Sequence, residues 1–215
     1  MSQGIERRYA PTAELRAVKR EGRAMPTIVG HAAVFDQASV ELWGFYEEVA
    51  PGAFADSIAD GDDVRALFNH DPNVVLGRTK SGTLRLAEDE IGLLAEFDPP
   101  DTQQARDVIT LIERGDVSQM SFAFRVLDEK WRIDGDERYV RRILRAKLYD
   151  VSPVTYPAYP STDVGVRAAG KDPVLGEIPV IPADLVQGRQ AAAGGEQAQG
   201  RLEVLRLRLQ LAERQ

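Results

Sequence analysis

No cysteine occurs among the 215 residues, which excludes structural disulfides, thiolate zinc sites and thiol nucleophiles and suits a reducing cytoplasm. Histidine is almost as scarce. Only His31 and His70 are present, too few for a histidine-rich metal centre, although a carboxylate site for a hard cation stays open by counting. No apolar run is long enough to span a bilayer, and the start of the chain lacks the apolar stretch and small-residue cleavage site of a secretory signal. A soluble product made in the cytoplasm, with no membrane partner, is expected. Clustered cations are also missing: the formal net charge is −7, whereas holding phosphate backbones needs dense Lys and Arg, so nucleic acid is not an expected partner. What the chain does have, 43% hydrophobic and 28% charged residues, suffices for one globular core plus a tail.

Residues 1–25 form a basic segment, with Arg7, Arg8, Arg16, Lys19, Arg20 and Arg23 outnumbering Glu6, Glu14 and Glu21. AELRAV and TIVGHAAVFD read as strands around the Glu21-Gly22 turn, and PGAFADSIADG reads as a short helix with Pro51 near its first turn and Gly61 beyond its end. DVRALFN, VVLGRT, GTLRLAE and GLLAEFD are short runs between turn residues, the spacing of an antiparallel barrel or sandwich. A helix follows, capped by Asp101 or Thr102, with Ala105, Val108, Ile109, Leu111 and Ile112 at helical spacing before Gly115. VSQMSFAFRVL, RYVRRILRAKL and YDVSPVTYPAY complete the strands, and the ordered core is expected to end near Val166. Residues 26–170 are thus the expected domain, 171–200 a Pro-, Gly-, Ala- and Gln-rich linker, and 201–215 an amphipathic helix. Its stripe of Leu202, Leu205 and Leu209, beside Val204, Leu207 and Leu211, fits partner binding or self-association, because an isolated helix of this length is marginal in water. Both ends are expected to flank a core that folds without them.

Strand periodicity singles out Ser121. Met120, Phe122, Phe124 and Val126 share one face of their strand, whereas Gln119, Ser121, Ala123 and Arg125 share the other, so Ser121 points away from the apolar layer. Taken alone it also fits an ordinary surface-strand serine. His70 ends an apolar strand before the Asp71-Pro72 turn, and alternation places it with Val64, Ala66 and Phe68. It becomes a base only if that strand end comes within reach of Ser121, and otherwise it is a half-buried strand-end histidine. His31, mid-strand among small and apolar residues, reads as structural. A serine–histidine pair needs a carboxylate to orient the imidazole. Asp150, at the start of an apolar strand, is the first candidate; Asp71 and Asp116 lie at turns, where a carboxylate is most often a solvated cap.

In order, GHAAVF, FYEEVAPGAF, LFNHD, VLGRT, GTLRL, ERGDVSQMSFAF and LYDVSPVTYPAYPST resemble the phage head-maturation (prohead) serine protease family, over roughly residues 30–167. The resemblance implies an α+β, mainly β fold similar to the herpesvirus assemblin proteases, an antiparallel barrel ringed by helices. It implies a serine endopeptidase that cleaves scaffold and capsid precursor segments in the immature head, in the host cytoplasm, with the major capsid protein as substrate and no cofactor. The histidine of NHD is His70 and the serine of MSFAF is Ser121, the family's catalytic positions. Asp150 stands where the family usually has glutamate, one methylene longer, and Ala123 where it commonly has glycine. The acyl-transfer chemistry also requires oxyanion donors, for which the turn Pro157-Ala158-Tyr159-Pro160 is the expected source. Self-cleavage is expected within residues 187–200, where backbone rich in Gly and Ala can thread a cleft. Two alternatives remain: a catalytically silent capsid-assembly or scaffold-binding barrel on the same fold, and a metal-dependent phosphoesterase built on His70 and Asp71, for which nitrogen ligands are scarce.

Overall fold

The computed structural model describes residues 4–10, 15–156, 171–172 and 176–189. In chain order its elements are β1 (Glu6–Ala10), β2 (Arg16–Val18), β3 (Thr27–Val34), β4 (Tyr46–Val49), α1 (Ala55–Ala59), β5 (Arg65–Phe68), β6 (Asp71–Arg78), β7 (Leu84–Glu88) and β8 (Gly92–Phe97). There follow α2 (Gln103–Arg114), β9 (Gln119–Ile133), β10 (Tyr139–Val154), β11 (Lys171–Asp172) and β12 (Gly176–Glu177), and then a short helix α3 over 183–189.

The expected helix between β8 and β9 forms as its residues dictate. The Thr102 side chain accepts from the Ala105 N–H at 3.3 Å, Gly115 closes the helix in the left-handed region at φ 82°, and Ala105, Val108, Ile109 and Ile112 are buried. The β class is also as expected, but the barrel is not. The strands form an eight-stranded sheet, β11-β12-β1-β9-β10-β5-β6 with β4 also on β10, and a four-stranded sheet, β2-β3-β8-β7. An isolated parallel bridge, Phe35 to Val49, links the end of β3 to β4. Hydrogen bonding therefore does not run round a closed circuit; the larger sheet curls into a half-barrel, which is not an assemblin-like closed barrel. Nor is the sheet wholly antiparallel, since β4 and β5 both join β10 in parallel. The reason is the length of β10. RYVRRILRAKL and YDVSPV, expected as separate strands, fuse into 16 residues that pair with β9 along one edge, leaving the other edge for two short strands from earlier in the chain.

The N-terminal expectation also needs correcting. Glu6–Ala10, expected in a basic segment outside the core, lies antiparallel on β9 with Arg8 opposite Phe122 and Tyr9 opposite Ser121. Two of its side chains belong to a buried charge cluster. Arg141, fully buried, donates to Glu6 Oε2 at 2.6 Å, Glu47 Oε2 at 2.8 Å and Glu129, while Arg8 donates to Glu47 Oε1 at 2.8 Å and Glu6 Oε2 at 2.7 Å. Desolvation opposes the charge on Arg141, yet the Glu6 hydrogen bonds and the surrounding carboxylates raise its pKa overall. At the other end, residues beyond 170 return to the sheet: Gly176 of β12 pairs with Glu6, its φ of 83° suiting glycine, and a Cβ there would meet Ile5 O at 2.2 Å. The chain expected as linker thus contributes β11, β12 and α3, whereas the leucine stripe of 201–215 lies outside the described residues.

Removing one partner from a buried charge cluster strands the others. Arg141→Ala is expected to lower unfolding stability by about 3–5 kcal/mol, because Glu6, Glu47 and Glu129 lose their common cation and Arg8 alone remains against Glu6 and Glu47; urea denaturation checks this. A loss below about 1 kcal/mol shows the cluster contributes little more than an exposed ion pair.

Candidate active site

The antiparallel pairing of β9 and β10 sets Ser121 opposite Ser152 and Ala123 opposite Asp150. This register depends on a bulge. Leu148 pairs with Phe124 and Asp150 with Ala123, so β10 spends two residues where β9 spends one, and Tyr149 is the extra residue. Under strict alternation Asp150 would share a face with Leu148 and point into the apolar core. The bulge shifts the parity, so that Asp150 and Ser152 face the Ser121 side while Val151 and Pro153 oppose Phe122 and Met120 on the core side. α1 supports the distortion: the Leu148 N–H donates to Ser57 Oγ at 3.0 Å, Ser57 Oγ donates to Asp62 Oδ2 at 2.7 Å, and Lys147 Nζ donates to Asp62 Oδ1 at 2.7 Å. Burial pushes the Asp62 carboxyl up, but the Lys147 and Ser57 bonds outweigh it and hold it below its ordinary value.

His70 arrives by a different route from the one alternation suggested. β5 ends at Phe68, and Asn69 and His70 are the two central residues of the turn into β6, with φ of 53° and 58°. Positive φ at both positions is the pattern of a type I′ hairpin turn, and it swings the imidazole off the face of Ala66 and Phe68. His70 Nε2 then lies 2.7 Å from Ser121 Oγ, and His70 Nδ1 lies 2.6 Å from Asp150 Oδ1. With the Nδ1 proton directed to Asp150, Nε2 is free to accept from the serine hydroxyl. The Asp150 carboxylate takes a further bond from Ser152 Oγ at 2.8 Å.

Ser121 is only 5% exposed, more enclosed than the polar side of a strand would suggest. Its hydroxyl also donates to the Arg8 carbonyl of β1 at 2.8 Å. One proton therefore has two acceptors, the Arg8 oxygen and His70 Nε2, and proton transfer to the imidazole requires the second orientation.

The sequence candidates separate cleanly. Ser121, His70 and Asp150, from β9, the β5–β6 turn and β10, are brought together. Asp71 caps its own turn, its Oδ1 accepting from Asn73 N at 2.9 Å, and Asp116 pairs with Arg114 at 3.0 Å. His31 Nε2 lies 2.9 Å from Asp89 Oδ2, bonded to that carboxylate and not to Ser121. The turn 157–160, expected to supply oxyanion donors, lies outside the described residues. Sequence reasoning passed over Ser152, although its spacing of two from Asp150 was a signal that both share a face, and over Arg8, whose backbone oxygen leaves no sequence signal. A cavity of about 290 Å³ is lined by residues including Arg8, Tyr9, Leu42, Val49 and Phe122. Among the described residues no group of three or more His, Asp or Glu could hold a metal ion, and no helix is long and apolar enough to cross a membrane.

A serine hydroxyl, an imidazole and a carboxylate in hydrogen-bonded series form the constellation of a serine hydrolase site. Residues 12–175 match the Caudovirus prohead serine protease family, and the chain belongs to that family. No individually curated protein and no solved structure matches the chain.

If the bulge aims Asp150, its extra residue matters more than its side chain. Deleting Tyr149 is expected to depress hydrolysis at least as far as a lost carboxylate orienter, by roughly 10⁴, whereas Tyr149→Ala stays within about tenfold of the parent, a difference of about 1.4 kcal/mol. Fluorophosphonate labelling rates, with circular dichroism to verify folding, check both variants.

Proposed function

We propose that this chain is a serine endopeptidase that cleaves scaffold and capsid precursor segments during prohead maturation, and that Ser121, His70 and Asp150 are its catalytic residues. The observation that carries this is the 2.7 Å and 2.6 Å series from Ser121 Oγ through His70 to Asp150, set in a chain of the prohead serine protease family.

The chemistry follows from the geometry. Ser121 Oγ attacks the scissile carbonyl carbon while His70 Nε2 takes its proton, and the carbonyl oxygen becomes an oxyanion. His70 returns that proton to the leaving amine as the C–N bond breaks, leaving an acyl-enzyme. Water, deprotonated by the same imidazole, then cleaves the ester and restores the hydroxyl. Asp150 accepts the Nδ1 proton's hydrogen bond throughout, holding the tautomer and stabilising the imidazolium as it forms. No cofactor is needed. The substrates are the major capsid protein and scaffold segments inside the assembling prohead in the host cytoplasm, and the enzyme's own stretch 187–200. The leucine stripe at 201–215 serves as a tether to a partner or a second copy, raising effective concentration during assembly.

Co-expression of a coat protein with the parent or Ser121→Ala, read by mass spectrometry, tests the reading. A shortened coat species is expected only with the parent, and the serine variant should lose roughly 10⁶ in rate. His70→Ala should be as inactive, Asp150→Asn should lose up to roughly 10⁴, and His31→Ala should stay active. Processing by purified Ser121→Ala within tenfold of the parent overturns Ser121 as the nucleophile, whereas a parent that yields no shortened coat species leaves a catalytically silent assembly protein as the better description.

A further inference from the structure

We infer that Asn69 is a positioning residue for His70, acting as a clip between the turn that carries the imidazole and the end of the strand that carries Asp150. The inference rests on the reading of Ser121 and His70 as nucleophile and base. The difficulty it resolves is mechanical. His70 sits at φ 58°, a left-handed conformation that a residue with a Cβ adopts at a cost, and the β5–β6 ladder beneath it is irregular, with register shifts at Ala66/Leu67 and Leu67/Phe68. A two-residue turn on an irregular hairpin does not by itself hold an imidazole to hydrogen-bond tolerance.

Asn69 supplies the missing constraint from both its backbone and its side chain. Its N–H donates to the Pro153 carbonyl at 3.0 Å, and its Oδ1 accepts from the Thr155 N–H at 2.9 Å and the Thr155 hydroxyl at 3.2 Å. All three bonds join the turn to the segment just after Asp150 and Ser152. Asparagine suits the place twice over: it tolerates the left-handed region at φ 53°, and its short side chain presents an acceptor to a nearby backbone N–H. The His70–Asp150 and His70–Ser121 distances are thereby tied to β10 on the far side of the turn, and β5, parallel to β10 through Asp150–Arg65 and Val151–Ala66, holds the near side.

The test compares full-length parent, Asn69→Ala, Asn69→Gly and Asn69→Asp by fluorophosphonate labelling of Ser121, separating the maximal labelling rate from the half-saturating concentration, with thermal unfolding in the same buffer. Asn69→Ala and Asn69→Gly are expected to lower the maximal rate about tenfold to a hundredfold, with little change in half-saturation, because ångström-scale misplacement of a base has that size of effect. Asn69→Asp, which keeps the acceptor and the backbone tolerance, is expected to stay within about threefold, a difference of less than 1 kcal/mol. A normal rate in Asn69→Gly with a slow Asn69→Ala assigns the whole effect to backbone conformation and overturns the clip, as do normal rates in both. Should neither fold, Thr155→Val, which removes only the hydroxyl's bond, is expected to label about twofold to fivefold more slowly, again under 1 kcal/mol; an unchanged rate there counts against the clip. A parent that does not label, or labels equally as Ser121→Ala, refutes the protease reading instead.

Discussion

The single extra residue at Tyr149 governs the chemistry of this sheet, because side chains on a strand alternate and one inserted residue reverses every face assignment beyond it. Upstream of the bulge, β10 gives Leu148 to the core against Phe124; downstream, it gives Asp150 and Ser152 to the side of Ser121. A continuous strand cannot serve both demands, since Leu148 and Asp150 have the same parity. The Leu148 N–H is satisfied by Ser57, so α1 is part of the support for the carboxylate.

The nucleophile is bounded on its other edge by β1, whose place in the sheet depends on buried charge. Glu6 and Arg8 sit on the core side opposite Phe124 and Phe122, paired with Glu47 and Arg141, while the Arg8 carbonyl accepts from the Ser121 hydroxyl. Charges buried this deeply rarely add stability compared with a well-packed apolar cluster, but they penalise any register in which a partner is missing. A one-residue slip of β1 would strand Glu6 and Arg8 and move Tyr9 off Ser121. The cluster therefore acts as a register lock on the strand beside the nucleophile.

Membership of the prohead serine protease family is consistent with this arrangement, and two departures seen in the sequence find physical places. Aspartate at 150, where the resemblance implies a glutamate, reaches His70 Nδ1 at 2.6 Å. Ala123 is 1% exposed opposite Asp150, where the sheet accommodates its methyl group.

Much of this protein was legible before folding. Helix α2, with a cap at Asp101 or Thr102 and a stop at Gly115, the strand class and the apolar face of Met120, Phe122 and Phe124 are readable, and Ser121, His70 and Asp150 can be named as candidates, because caps, periodicity and motif order are local properties of the chain. Other features were not local. His70 looked aligned with Ala66 because nothing in the spacing reveals that the strand stops at Phe68 and turns through two left-handed residues. The open half-barrel, the parallel joining of β4 and β5, the capture of Glu6–Ala10 and the return of Gly176 to the sheet depend on which edges meet, and hydrogen-bonding edges are made of identical backbone groups that carry no side-chain signature. Residue types therefore determined which groups could react and which faces would be buried, whereas register, bulge and turn geometry, set only by pairing across the sheet, decided that Ser121, His70 and Asp150 would touch.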